Sequence, residues 1–159
     1  MLHLYRTIDI HIHDTVLVVM GIIPIIITFS IWINDTMAYI VGSFIGKTPL
    51  SPISPKKTWE GTVGGIILSV LVISLLIPLF WLREMPFTIL AIVLAAIALV
   101  AAVTGTFGDL LESKLKRMAG VKDSGSFMPG HGGFLDRFDS LLLATPFVWL
   151  LVLVLRQVV

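Results

Sequence analysis

Long uncharged runs separated by short polar stretches dominate the chain. Thr15 to Ile33 is nineteen residues without a charge, enough for a helix to cross a bilayer. Pro24 predicts a kink there, which a membrane helix tolerates when neighbours repair the freed backbone groups. Asn34-Asp35-Thr36 ends the run, and a shorter helical segment, Met37 to Gly46, follows. Lys47 to Glu60 is a polar loop whose three prolines keep it out of regular helix, with Thr58 placed to cap the next element. Gly61 to Leu82 is a second span of twenty-two residues, and Arg83 to Met85 is a tight turn. Pro86 to Phe107 is a third span, and Asp109 to Arg117 continues its helix out of the membrane. Gly120 to Gly133 is loop. A last helix from near Phe134 to about Leu155 carries Asp136 and Asp139 in its first two turns. Residues 1–14 read as an irregular polar lead-in, with His11 and His13 as surface histidines.

This pattern predicts an all-α, polytopic membrane bundle of about four full spans plus a short additional helical segment. Composition agrees. Of 159 residues 57% are hydrophobic and 13% charged, where a soluble domain carries about a quarter charged residues. The chain has no cysteine, so disulfides and thiolate metal sites are excluded, and a net charge of +1 gives no case for nucleic acid. Eight of the eleven Lys and Arg lie in 34–60 and 108–140, which places both loops on the cytoplasmic face of the inner (plasma) membrane. Gly42-x-x-x-Gly46 and Gly61-x-x-Gly64-Gly65 are small-residue faces suited to close helix approach, and they make a homodimer plausible.

The polar chemistry concentrates between Gly108 and Ser140. Five acids (Asp109, Glu112, Asp123, Asp136, Asp139) alternate there with five bases (Lys114, Lys116, Arg117, Lys122, Arg137) among six glycines. Carboxylates suit a hard cation, bases suit phosphate oxygens, and glycines permit close backbone approach. Asp109, Glu112, Ser113 and Lys116 share a helical face, as do Asp136 and Asp139. Asp35, Asp109, Asp136 and Asp139 all fall near one membrane edge, where a carboxylate must be paired, hydrated or bound to a cation. Two acid-bearing faces at one depth could hold Mg²⁺, or the acids could be neutralised by Lys116, Arg117 and Arg137. Lys122-Asp123-Ser124-Gly125 and Pro129-Gly130-His131-Gly132-Gly133 can turn backbone N–H groups toward an anion just before a helix N-terminus. Lys47, Lys56 and Lys57 add cations that suit a nucleotide or lipid phosphate, or anionic headgroups in general.

The run Ser113 to Asp139, SKLKRMAGVKDSGSFMPGHGGFLDRFD, resembles the signature of the phosphatidate cytidylyltransferases, or CDP-diacylglycerol synthases. Trp32 to Gly65 resembles that family's other characteristic region, and the two together cover about half the chain. Family members usually carry several more membrane helices ahead of this region. The expectation is therefore a single membrane-embedded catalytic domain, residues 1–159, lacking those helices.

The resemblance implies Mg²⁺-dependent transfer of the cytidylyl group from CTP to phosphatidate, with a second cation left open. Carried onto this sequence, it makes Asp109, Lys116, Asp136, Arg137 and Asp139 catalytic, with Asp109, Asp136 and Asp139 as metal ligands. Asp35, Lys56, Lys57, Ser113, Arg117, Lys122, Asp123, Ser124, Gly125, His131, Gly132 and Gly133 become substrate-binding residues. The alternatives are a proton- or ion-coupled transporter, which would need interrupted helices in repeated halves, a non-catalytic fragment of the same family, and a related CTP-using enzyme of lipids or polyprenols.

Overall fold

A backbone in hydrocarbon has to satisfy its N–H and C=O groups within the segment, and the uncharged runs do so as helices. The computed structural model describes the backbone of residues 2–80, 87–121 and 135–158, and the side chains of residues 21–80, 87–121 and 138–157. Helix α1 is Leu2–Ile45, strands β1 and β2 are Pro49–Ser51 and Ser54–Thr58, and helices α2, α3 and α4 are Trp59–Phe80, Phe87–Met118 and Leu135–Val158. Each of the four helices contains a stretch long and apolar enough to cross a membrane: Gly21–Ile45, Trp59–Phe80, Phe87–Met118 and Phe138–Gln157. The fold is a helical membrane bundle.

Two local expectations change. The lead-in is not irregular: α1 begins at Leu2, and neither Gly nor Pro occurs before Gly21 to interrupt it. Nor does Asn34-Asp35-Thr36 break the helix. Asn34 turns inward, 2% exposed, and its Nδ2 donates to Thr106 Oγ1 on α3 at 3.3 Å. Thr36 Oγ1 donates to the Trp32 carbonyl at 2.8 Å. Asn34 thus finds a partner on α3 and Thr36 one on its own helix, so the helix has no need to end there, and Met37–Gly46 is largely its last turns.

The polar loop after α1 is a two-stranded antiparallel hairpin, with Pro49 opposite Thr58 and Ser51 opposite Ser54. A proline lacks the N–H for a ladder bond, which a two-stranded edge accommodates. Thr58 caps α2 as expected, its Oγ1 accepting from Gly61 N at 3.2 Å. The end of α3 is a Schellman turn: Gly120 has φ +70°, Gly120 N donates to the Arg117 carbonyl, and Val121 N donates to that of Lys116.

The core lies where the helices cross. Ile23, Ile26, Ile27 and Ile31 of α1 meet Leu90, Leu94, Ile97, Ala98 and Ala101 of α3, with Ile73 from α2 and Ala144, Val148 and Val152 from α4. Ser69 Oγ on α2 donates to the Ser30 carbonyl at 2.9 Å, an interhelical bond with no water to compete for it. Phe29, Leu71, Ile92 and Leu150 point outward, as lipid-facing residues do.

Both expected glycine faces are used, and they face each other within the chain. A methyl group on Gly61 would lie 2.6 Å from the Ala38 carbonyl oxygen and 2.9 Å from Gly42 Cα, and one on Gly65 would lie 2.7 Å from the Asn34 carbonyl oxygen. They are therefore committed to packing α1 on α2. A homodimer would have to use other surfaces.

Candidate active site

The end of α1, the hairpin, the start of α2, the end of α3 and the start of α4 come together at one end of the bundle. Between them opens a cleft of about 810 Å³. Asp35, Lys56, Lys57, Asp109 and Asp139 supply its charges, and Asn34, Thr106 and Ser140 line it with polar groups. Ile31, Trp32, Phe138 and Leu141 give it apolar wall.

Close contact of α3 and α4 sets the acids. Gly108 is the crossing point: a methyl group there would sit 2.8 Å from the Asp139 carbonyl oxygen and 3.0 Å from Ser140 Cα. That approach brings Asp139 beside the Asp109–Glu112 face of α3. One carboxylate oxygen from each of Asp109, Glu112 and Asp139 lies within 4.8 Å of the others. The donor set is all oxygen and all carboxylate, the chemistry that hard divalent cations take.

Charges at this depth need compensation. Lys57, from the returning strand of the hairpin, is ion-paired with Asp109. Lys116, one turn beyond Glu112, pairs with it at 2.9 Å. Asp139 Oδ1 accepts from the Ser140 N–H. Asn34 is held by its bond to Thr106, whose hydroxyl donates in turn to the Ala102 carbonyl at 2.8 Å, and this fixes α1 against α3 beside Asp35.

The expected site residues divide accordingly. Asp35, Lys56, Lys57, Asp109 and Asp139 converge on the cleft. Asp35 does so from within α1, not from a loop. Lys116 reaches the cluster through Glu112. Ser113 is half-buried and Arg117 exposed, and neither lines the cleft. Asp136 and Arg137 lie on the first turn of α4 by backbone, their side chains outside the described residues, as is all of Lys122, Asp123, Ser124, Gly125, His131, Gly132 and Gly133. Of the expected ligands, Asp109 and Asp139 are brought together. The third carboxylate described beside them is Glu112. Its spacing from Asp109 had put it on the right face, but its proximity to Asp139 depends on the helix crossing.

The sequence matches the profile of the cytidylyltransferase family over residues 10–155. The chain belongs to the cytidylyltransferase family. It is 46% identical over 124 residues to the phosphatidate cytidylyltransferase of Staphylococcus saprophyticus, an alignment covering 77% of this chain and 46% of that protein. The protein of the same name from Bacillus subtilis (strain 168) is 48% identical over 122 residues, 76% of this chain and 44% of the relative. That of Staphylococcus aureus (strain COL) is 44% identical over 124 residues, with 77% and 46% covered. The chain thus spans just under half the length of these relatives. The family match runs through every element of the cleft, from the first quarter of α1 to the last turn of α4.

Proposed function

We propose that this cytidylyltransferase-family chain transfers the cytidylyl group of CTP to phosphatidate, forming CDP-diacylglycerol and releasing pyrophosphate. The observation that supports it most is the placement of carboxylates and lysines around a cleft at one end of a membrane bundle, in a chain similar to proteins named for this reaction. A water-borne nucleotide and a lipid headgroup can meet only at such an edge.

The chemistry asks little of the protein beyond alignment and charge. A phosphate oxygen of phosphatidate attacks the α-phosphorus of CTP, the bond to the β-phosphoryl oxygen breaks, and pyrophosphate leaves with its electrons. The lipid phosphate is already an anion, so no protein nucleophile is needed. Asp109, Glu112 and Asp139, with Asp136 joining from the first turn of α4, would hold Mg²⁺. When bound, Mg²⁺ supplies charge neutralisation to the triphosphate. Lys56 and Lys57 bind phosphate oxygens from the hairpin side, and Lys116, Arg117, Lys122 and Arg137 offset charge from the α3–α4 side. The segment Ser124 to Gly133, outside the described residues, is assigned to the nucleotide on its glycine-rich sequence alone. Asp35 faces the same space from α1. The apolar walls at Ile31, Trp32 and Leu141 receive the upper acyl chains. This end of the bundle faces the cytoplasm, where CTP is.

The reading is tested by incubating purified chain with labelled CTP, phosphatidate and Mg²⁺. Label should move to the organic phase, and a chelator should abolish the transfer, with recovery on adding Mg²⁺ back. No lipid-linked label from folded chain in the presence of Mg²⁺ would overturn it; transfer that persists in chelator would remove the metal from it. Asp136→Asn should suppress conversion with helix content unchanged, and normal turnover by that variant would strike Asp136 from the ligands. The transporter alternative calls for interrupted helices, whereas α1 to α4 run without interruption over the described residues.

A further inference from the structure

The hairpin carrying Lys56 and Lys57 is two short strands whose exposed positions are Pro49, Pro55 and Lys56, none of them part of an apolar core. Two strands alone are marginal in water. Something else must hold Lys57 against Asp109, and Glu60 is built to do it. Its carboxylate accepts from Lys47 N at 3.2 Å, from Thr48 N at 3.2 Å and from Thr48 Oγ1 at 2.8 Å. These donors are the first residues after α1, while Glu60 sits on the first turn of α2. Trp59 N donates back to the Thr48 carbonyl at 2.9 Å. The two ends of the loop are thereby clipped together, and Thr58, paired with Pro49, is fixed by its cap on Gly61. Lys57 is the residue immediately before that anchor. Glu60 itself does not line the cleft.

We propose that Glu60 is a positioning residue: its carboxylate locks the base of the hairpin so that Lys57 is presented to Asp109 and to the phosphates of the nucleotide. An ionised carboxylate taking three donors from one corner is a stronger tether than neutral pairs would be. The role of Lys57 toward phosphate rests on the cytidylyl-transfer reading; the mechanical part does not.

Two arms test it in full-length chain. The first is independent of turnover. The sequence has no cysteine, so Pro52→Cys in the hairpin turn and Leu115→Cys on the exposed side of α3 accept spin labels cleanly. Pulsed electron spin resonance should give one narrow distance population with Glu60 present and a broad one in Glu60→Ala. A distribution unchanged by the substitution, or one already broad with Glu60 in place, overturns the proposal. The second arm is kinetic. Glu60→Ala should raise the apparent KM for CTP about tenfold, and Glu60→Gln, which keeps an acceptor oxygen, should recover part of this. Adding Glu60→Ala to Lys57→Ala should cost nothing further, because both act through one contact. Fully additive losses would overturn the route through Lys57. If native chain forms no lipid-linked product, the transfer reading fails while the spin-label distances still decide the clip.

Discussion

Asp109→Asn is expected to lower CTP-dependent formation of lipid-linked cytidylate by about 10²–10³-fold, the scale of losing a group that stabilises transition-state charge. Asp109 is where the halves of the site join. It shares the carboxylate cluster with Glu112 and Asp139, and it pairs with Lys57 from the hairpin. Asparagine keeps the size but removes the charge, so cation binding and the hold on Lys57 weaken together. Circular dichroism should show unchanged helix, since the side chain keeps its size and the buried α3 core, Leu90 to Ala101, lies earlier on the helix. Turnover within a few-fold of native would remove Asp109 from the centre of the mechanism.

Gly108→Val should also be damaging, for a mechanical reason. The new side chain would begin 2.8 Å from the Asp139 carbonyl oxygen and 3.0 Å from Ser140 Cα, both backbone atoms that cannot rotate away. α4 has to move off α3. Overpacking of this kind costs about 1–3 kcal/mol, and here the displaced segment carries Asp139. Conversion should fall at least about fivefold, the lower end of that range expressed as an equilibrium, and the thermal midpoint in detergent should drop with it. Gly21→Ala is the control, because a methyl group there meets nothing within 4 Å. Native stability and turnover in Gly108→Val, or equal damage from Gly21→Ala, would contradict this account.

These predictions show which parts of the site could be read along the chain. Asp109 and Asp139 were legible because each falls at the same end of an uncharged run, where an unpaired acid is costly. Glu112 stood on the face of Asp109, but its closeness to Asp139 required knowing that Gly108 is the crossing point. Salt bridges are the alternative to a cation, and the structure has them: Lys116 pairs with Glu112, as local spacing favours, while Asp109 pairs with Lys57 from a loop about fifty residues earlier. Glu60 read as the last residue of a polar loop. Nothing in its neighbours announces the three-donor corner it closes with Lys47 and Thr48, because that contact depends on the hairpin returning.

By itself the sequence determined the class of molecule: uncharged runs of helix-spanning length admit no other structure in a bilayer, and small residues at four-residue spacing identify faces that pack closely. It also determined which end of the bundle is chemical, since fifteen of the twenty-one charged residues fall within 34–60 and 108–140. Partner choice was left to the tertiary structure. A membrane helix is apolar all round, so its inner face carries little periodic signal; only the helix crossings decide that Gly61 meets Gly42 and Gly108 meets Asp139, and only the returning hairpin decides that Lys57 meets Asp109. Those contacts join segments far apart in the chain, and their geometry is fixed by backbone approach, which no local pattern of side chains records.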